Sequence, residues 1–122
     1  MRVIPVRTKL AQLIAKEEGF GIPGAVPTTH NNPGDLRHGP HEQHPGDPDA
    51  VGTADTAADG WADLERQITL DVARNLSLRQ FIYKFAPPTE NNSERYLNFV
   101  CAGLNIGPDV PLAEAAAVPA EV

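Results

Sequence analysis

Apolar positions in this chain keep helical spacing in two stretches and lose it in between. From Thr8 to Glu18, residues Leu10, Leu13, Ile14 and Glu17 fall at i, i+3, i+4 and i+7, with Glu18 one turn beyond Ile14. That spacing predicts a first helix, which Gly19 and Gly21 stop. From Gly21 to about Thr56 the chain is rich in Gly, Pro, Asp and His and holds no long apolar run. The pattern there predicts irregular structure, with short strands near Ala25–Thr29 and Ala50–Thr53. A loop of this length inside a folded chain is more often functional than inert.

Helical spacing returns at Thr56, which forms a capping-box pattern with Asp59 and leads into a Trp61, Leu64, Ile68, Val72 stripe. The expected helix runs from Ala57 to Arg74. Ser77 caps the next one, with Leu78, Phe81, Ile82 and Phe85 inward, and Pro87-Pro88 ends it. Another starts near Ser93, with Tyr96, Leu97, Val100 and Leu104 inward, and stops at Asn105–Pro108. Asp109 is placed to cap one last turn before an Ala-rich tail expected to fray. The fold class is therefore mainly α: a single helical domain over residues 1–108, with a long loop-rich segment after the first helix and a short tail over 109–122.

Composition narrows the picture. The chain has 122 residues, 41% hydrophobic and 21% charged, which suits one folded domain with its own core. Its net charge of −6 lacks the basic surface that phosphate neutralisation needs, so no nucleic-acid partner is expected. The same charge counts mildly against work on an anionic cell wall. One cysteine, Cys101, allows no intrachain disulfide and reads as a small apolar helix residue. No stretch approaches the ~18 apolar residues of a membrane span, so no membrane insertion is expected, and the N-terminus lacks the apolar block of a signal peptide.

Candidate chemistry begins with the glutamates of IAKEEGFGIPG, residues 14–24. A carboxylate on the packed side of a helix loses solvation, which favours its protonated form. A general acid for glycosidic cleavage needs that property. Glu18, beside the glycines, is the better placed; Glu17 reads as its solvated partner. Ordinary surface helices also end in Glu and Lys, so the stretch alone is compatible with a plain helix end. In THNNPGDLR, the amides of Asn31 and Asn32 suit sugar hydroxyls and N-acetyl groups, and Asp35 is either a second carboxylate or the partner of Arg37. The same residues are good turn formers, and both roles stand. Near Asn91 and Asn92 the polar run is explained by an N-cap, and Tyr96 reads first as core and second as a sugar contact; Trp61 reads as core. His38, His41 and His44, with Asp47 and Asp49, are metal-binding residue types. Pro40, Pro45 and Gly46 deny them a regular element, so no metal or other cofactor is expected and the segment reads as a solvated loop.

Taken together, IAKEEGF, THNNPGDLR, DGWADLERQI and FAPPTENNSERY resemble small phage and prophage lysozyme-like proteins over roughly residues 10–106. The resemblance implies a lysozyme-like α+β fold, a peptidoglycan glycan strand as substrate, and cleavage of the β-1,4 bond between N-acetylmuramic acid and N-acetylglucosamine. It implies Glu18 as the catalytic acid. Phage lysozymes carry an Asp and a Thr on a hairpin soon after that glutamate; here Thr28 and Thr29 are present, but no Asp precedes Asp35. The expected catalytic pair is thus Glu18 and Asp35, with Thr29, Asn31, Asn32, Arg37, Asn91 and Tyr96 as glycan contacts. A lytic transglycosylase, in which one glutamate serves as acid and then base, stays open. So does a glycan-binding or virion structural module without chemistry, in contact with other virion proteins. The resemblance places synthesis in a bacterial cytoplasm and action in the periplasm, in the wall or on a virion.

Overall fold

Val6–Glu18 forms helix α1, burying Leu10, Leu13 and Ile14 as their spacing predicts. It begins directly after strand β1, Val3–Pro5, which sequence pattern did not reveal. In order there follow α2 (Val26–Thr29), α3 (Ala57–Ala73), α4 (Leu78–Phe85), α5 (Ser93–Leu104), a single 3-10 turn at Leu112–Glu114 and strand β2 (Ala117–Pro119). This computed structural model describes residues 2–47, 50–114 and 117–120. The chain is mainly helical, and its contacts divide it into two compact units. One joins residues 1–10 to 69–122; the other is the continuous stretch 11–68.

The discontinuous unit is built by apolar side chains. On α4 and α5, Leu78, Phe81, Ile82, Tyr96, Leu97, Val100 and Leu104 are all buried, each contributing on the order of 1.5–3 kcal/mol. Phe85 is only half-buried and stacks on Phe81, centroids 5.6 Å apart. Ser77 caps α4 as predicted: its hydroxyl accepts from Gln80 N–H at 3.1 Å while Gln80 Oε1 accepts from Ser77 N–H at 2.9 Å. Asn92 caps α5 through Arg95 N–H. Asp71, 1% exposed, accepts from Lys84 Nζ at 2.6 Å and from Arg74 at 2.9 Å, so its charge is balanced by two cations whose stems reach to solvent.

The tail expected to fray does not do so where it is described. Leu112 N–H donates to Leu76 O at 2.9 Å, and β2 pairs antiparallel with β1 in the register Val3↔Pro119, Ile4↔Val118, Pro5↔Ala117. Val118 is buried, and Lys9 Nζ donates to Ala120 O at 2.7 Å. Two short strands more than a hundred residues apart in the chain carry no local signal, and each is completed only by the other.

The continuous unit is assembled differently. α1 ends in a Schellman motif: Phe20 N–H reaches Ala15 O at 2.9 Å and Gly19 N–H reaches Lys16 O at 3.3 Å, with Gly19 at φ +89°. Where the pattern predicts a strand near Ala25–Thr29, Val26–Thr29 forms the one-turn helix α2, with Pro27 in its first turn. The Ala50–Thr53 strand is reduced to one antiparallel bridge, Thr53 with Gln43. On α3, Leu64 and Ile68 are buried as the stripe predicts, and Thr56 Oγ1 accepts from Asp59 N–H at 3.2 Å. Gly60 lets α3 touch the Asn31 turn, for a Cβ there would lie 1.9 Å from Asn31 O.

Candidate functional site

Glu18 is the last residue of α1, half-buried, and the Schellman motif behind it fixes where the chain leaves the helix. Thr28, rather than Thr29, ties down the turn that follows: its hydroxyl accepts from Gly21 N–H at 2.9 Å and donates to Gly19 O at 3.4 Å. Thr29 is exposed, its hydroxyl turned back onto Val26 O. Phe20 meets Trp61 edge to face at 5.4 Å. Trp61 is half-buried, a correction to its reading as core: this aromatic pair lies two residues from Glu18 and is partly open to solvent.

The Asn31–Asp35 turn shows the turn-building role its residues suggested. Asn31 sits at φ +51° and gives its amide to Ala54 O at 3.1 Å and Asp55 O at 3.3 Å. Asn32 is fully buried, donating to Leu36 O at 2.8 Å and Gly52 O at 2.9 Å and accepting from Leu36 N–H at 2.9 Å. Its placement as a glycan contact is therefore corrected: every bond of this amide is spent on backbone, and no ligand reaches it. Asp35, at φ +53°, is half-buried with Oδ1 enclosed and unpartnered, and so is Nδ1 of His30. Burial pushes the Asp35 carboxyl above its ordinary range, against the pull of His30 and Arg37. Arg37 is exposed.

Asn91 and Tyr96 belong to the other unit. Asn91 is exposed just ahead of the Asn92 cap. Tyr96 is 2% exposed, so its alternative reading as a sugar contact is corrected to core.

Histidines 38, 41 and 44 do not converge. His38 and His44 lie ring against ring at 5.6 Å, and His44 Nε2 bonds to Arg37 O. Asp49 lies outside the described residues. Among the described residues, no three His, Cys, Asp or Glu side chains are grouped to hold a metal ion.

His41 enters a cluster that sequence reasoning missed. Asp63 of α3 is 2% exposed; its Oδ1 lies 2.6 Å from His41 Nδ1, and its Oδ2 accepts from His41 N–H at 3.0 Å. Glu42, 9% exposed, brings a second carboxyl near Asp63, and both its oxygens are enclosed without a hydrogen-bond partner. Burial, and then its neighbour Asp63, push Glu42 up to about 8, so it is protonated at neutral pH. Burial works against the Asp63 charge, but its neighbours Glu42 and His41 hold its carboxyl below the usual range. The bond to Asp63 in turn raises His41. Close approach makes room for this: a Cβ on Gly52 would lie 2.4 Å from Glu42 Cβ, and one on Gly39 2.8 Å from Asp63 Oδ2. Asp63 stands off the Trp61–Leu64–Ile68–Val72 stripe, so periodicity assigns it to water; a loop folded onto a second side of α3 buries it instead.

The chain matches no protein-family model, no curated protein and no solved structure. Among the described residues, no helix is long and apolar enough to cross a membrane.

Proposed function

We propose that this chain is a peptidoglycan-cleaving glycosidase of lysozyme-like fold, acting on the β-1,4 bond between N-acetylmuramic acid and N-acetylglucosamine. Glu18 is its general acid. The observation that carries this reading is the setting of Glu18, half-buried as the last residue of a helix whose exit is fixed by Gly19 and Thr28. A proton donor to a leaving oxygen must be partly withdrawn from water, and this placement supports that need. Asp35 is the second carboxyl of the same unit, with Thr29, Asn31 and Arg37 on the glycan side. Phage lysis or wall penetration, in the periplasm or from a virion, is the setting this reading implies.

The test is mass spectrometry of purified peptidoglycan after incubation with wild type and with Glu18→Gln. Muropeptides released by wild type alone are expected; a hydrated mass identifies a lysozyme and an anhydro mass a transglycosylase. Fragments from both proteins, or from neither, overturn the assignment. The burial of Asn32 and Tyr96, which removes two presumed glycan contacts, favours a second reading: a glycan-binding or virion structural module. Co-sedimentation with intact peptidoglycan, without release of fragments, distinguishes it.

A further inference from the structure

The two arms of the long loop meet α3 at one place. Arm 36–47 presents His41 and Glu42 to Asp63, and arm 50–54 lays Gly52 against Glu42. The arms are laced to each other by Gln43 N–H to Thr53 O at 2.8 Å, Thr53 N–H to Gln43 O at 2.9 Å and Gly52 N–H to Leu36 O at 2.9 Å. Glu42 thus lies where both arms meet the helix, and both its carboxyl oxygens are buried without a hydrogen-bond partner.

We infer that Glu42 is an acid-closed latch: with a proton on its enclosed, unpartnered carboxyl both loop arms stay closed onto α3, and loss of that proton releases them. The groups facing Glu42 make this one-directional. From α3 come Asp63 and Asp59, both acidic; from its own arm comes His41, 3.8 Å from Asp59 and bonded to Asp63. Asp55, beyond the second arm, is engaged with Gln43 Nε2 at 2.9 Å. A second negative charge here meets two carboxylates, and the imidazole that offsets them loses its own charge as pH rises.

The sign follows from the folded state holding a proton that the unfolded chain releases. Glu42 has an ordinary value of 4.5 and lies at about 8 when folded. Its contribution is complete below 4.5, declines between 4.5 and 8, and is gone above 8. The raised His41 adds to the same alkaline loss. Asp63, held low, acts in the opposite sense and weakens the latch only in stronger acid. The latch is therefore tightest in mild acid. It is a property of the folded chain and does not depend on the glycosidase reading.

Hydrogen exchange on the full chain tests it, read as protection factors for the Gln43, Gly52 and Thr53 amides between pH 6 and 9. In wild type these fall by about tenfold or more, while those of α5 hold steady. In Glu42→Gln, whose amide is neutral at every pH, they stay level. A level wild type, or an equal fall in the variant, overturns the latch. Should Glu42→Gln fail to fold, carbon NMR of the wild-type Glu42 carboxyl decides: a midpoint near 8 supports the latch, and one near 4.5 ends it.

Discussion

α4 and α5 hold together by what they exclude from water, whereas the stretch from Gly19 to Thr56 holds together by what it bonds inside. In the first region Phe81, Ile82, Leu97 and Val100 are buried and few polar side chains are needed beyond the caps. In the second, Thr28, Asn31 and Asn32, and Asp63 from α3, each satisfy backbone groups that no helix or sheet serves. The contrast shows that a polar segment need not be a loose one. Its order is bought with specific amides and carboxylates, so it is brittle in a different way: deleting a methylene barely touches it, but deleting one hydrogen-bonding group strands several partners.

Four outcomes can break or sharpen that contrast. The largest is Phe81→Ala, which empties a fully buried site and is expected to cost about 4 kcal/mol in urea denaturation. Next comes Asn32→Ala, expected to cost ~3 kcal/mol by the same measurement, because it strands Leu36 N–H, Leu36 O and Gly52 O. A cost below that of a helix cap would refute the view that this amide organises the loop. Ser77→Ala removes one half of a capping box and is expected to cost about 1 kcal/mol. The smallest effect is that of Asp35→Asn. Burial raises the Asp35 carboxyl, so its charged form is the strained one; its contribution is complete in acid and lost as pH rises through the folded value. Calorimetry is expected to show a small gain in Tm for the variant at pH 7 and none at pH 3; a loss at pH 7 would show instead that His30 and Arg37 outweigh burial.

The same contrast explains which parts of the structure could be read from the sequence. α1, α3, α4 and α5 announce themselves because Leu10, Leu64, Phe81 and Leu97 recur with helical period and are buried by neighbours at that period. Ser77 and Thr56 mark their starts because a cap is a local bond. The β1–β2 pair does not show, since Val3–Pro5 acquires its partner only from Ala117–Pro119. Val26–Thr29 reads as extended because a valine and two threonines favour strands; Pro27 and the following turn bend it into one helical turn. At the candidate site Glu18 and Asp35 are visible as residue types, but which backbone groups Asn31 and Asn32 hold is decided by tertiary bonds alone. Asp63 is the clearest case, an acid off the apolar stripe that the fold encloses.

The pairing of β1 with β2 also orders events at the ribosome. Ile4 is made more than a hundred residues before Val118, the residue it pairs with. Residues 11–68 form a continuous unit and emerge as an uninterrupted stretch, whereas the unit that holds residues 1–10 must wait for residues 69–122. At ~5–20 residues per second that wait lasts several seconds. Throughout it Val3–Pro5 stands without the strand that pairs it.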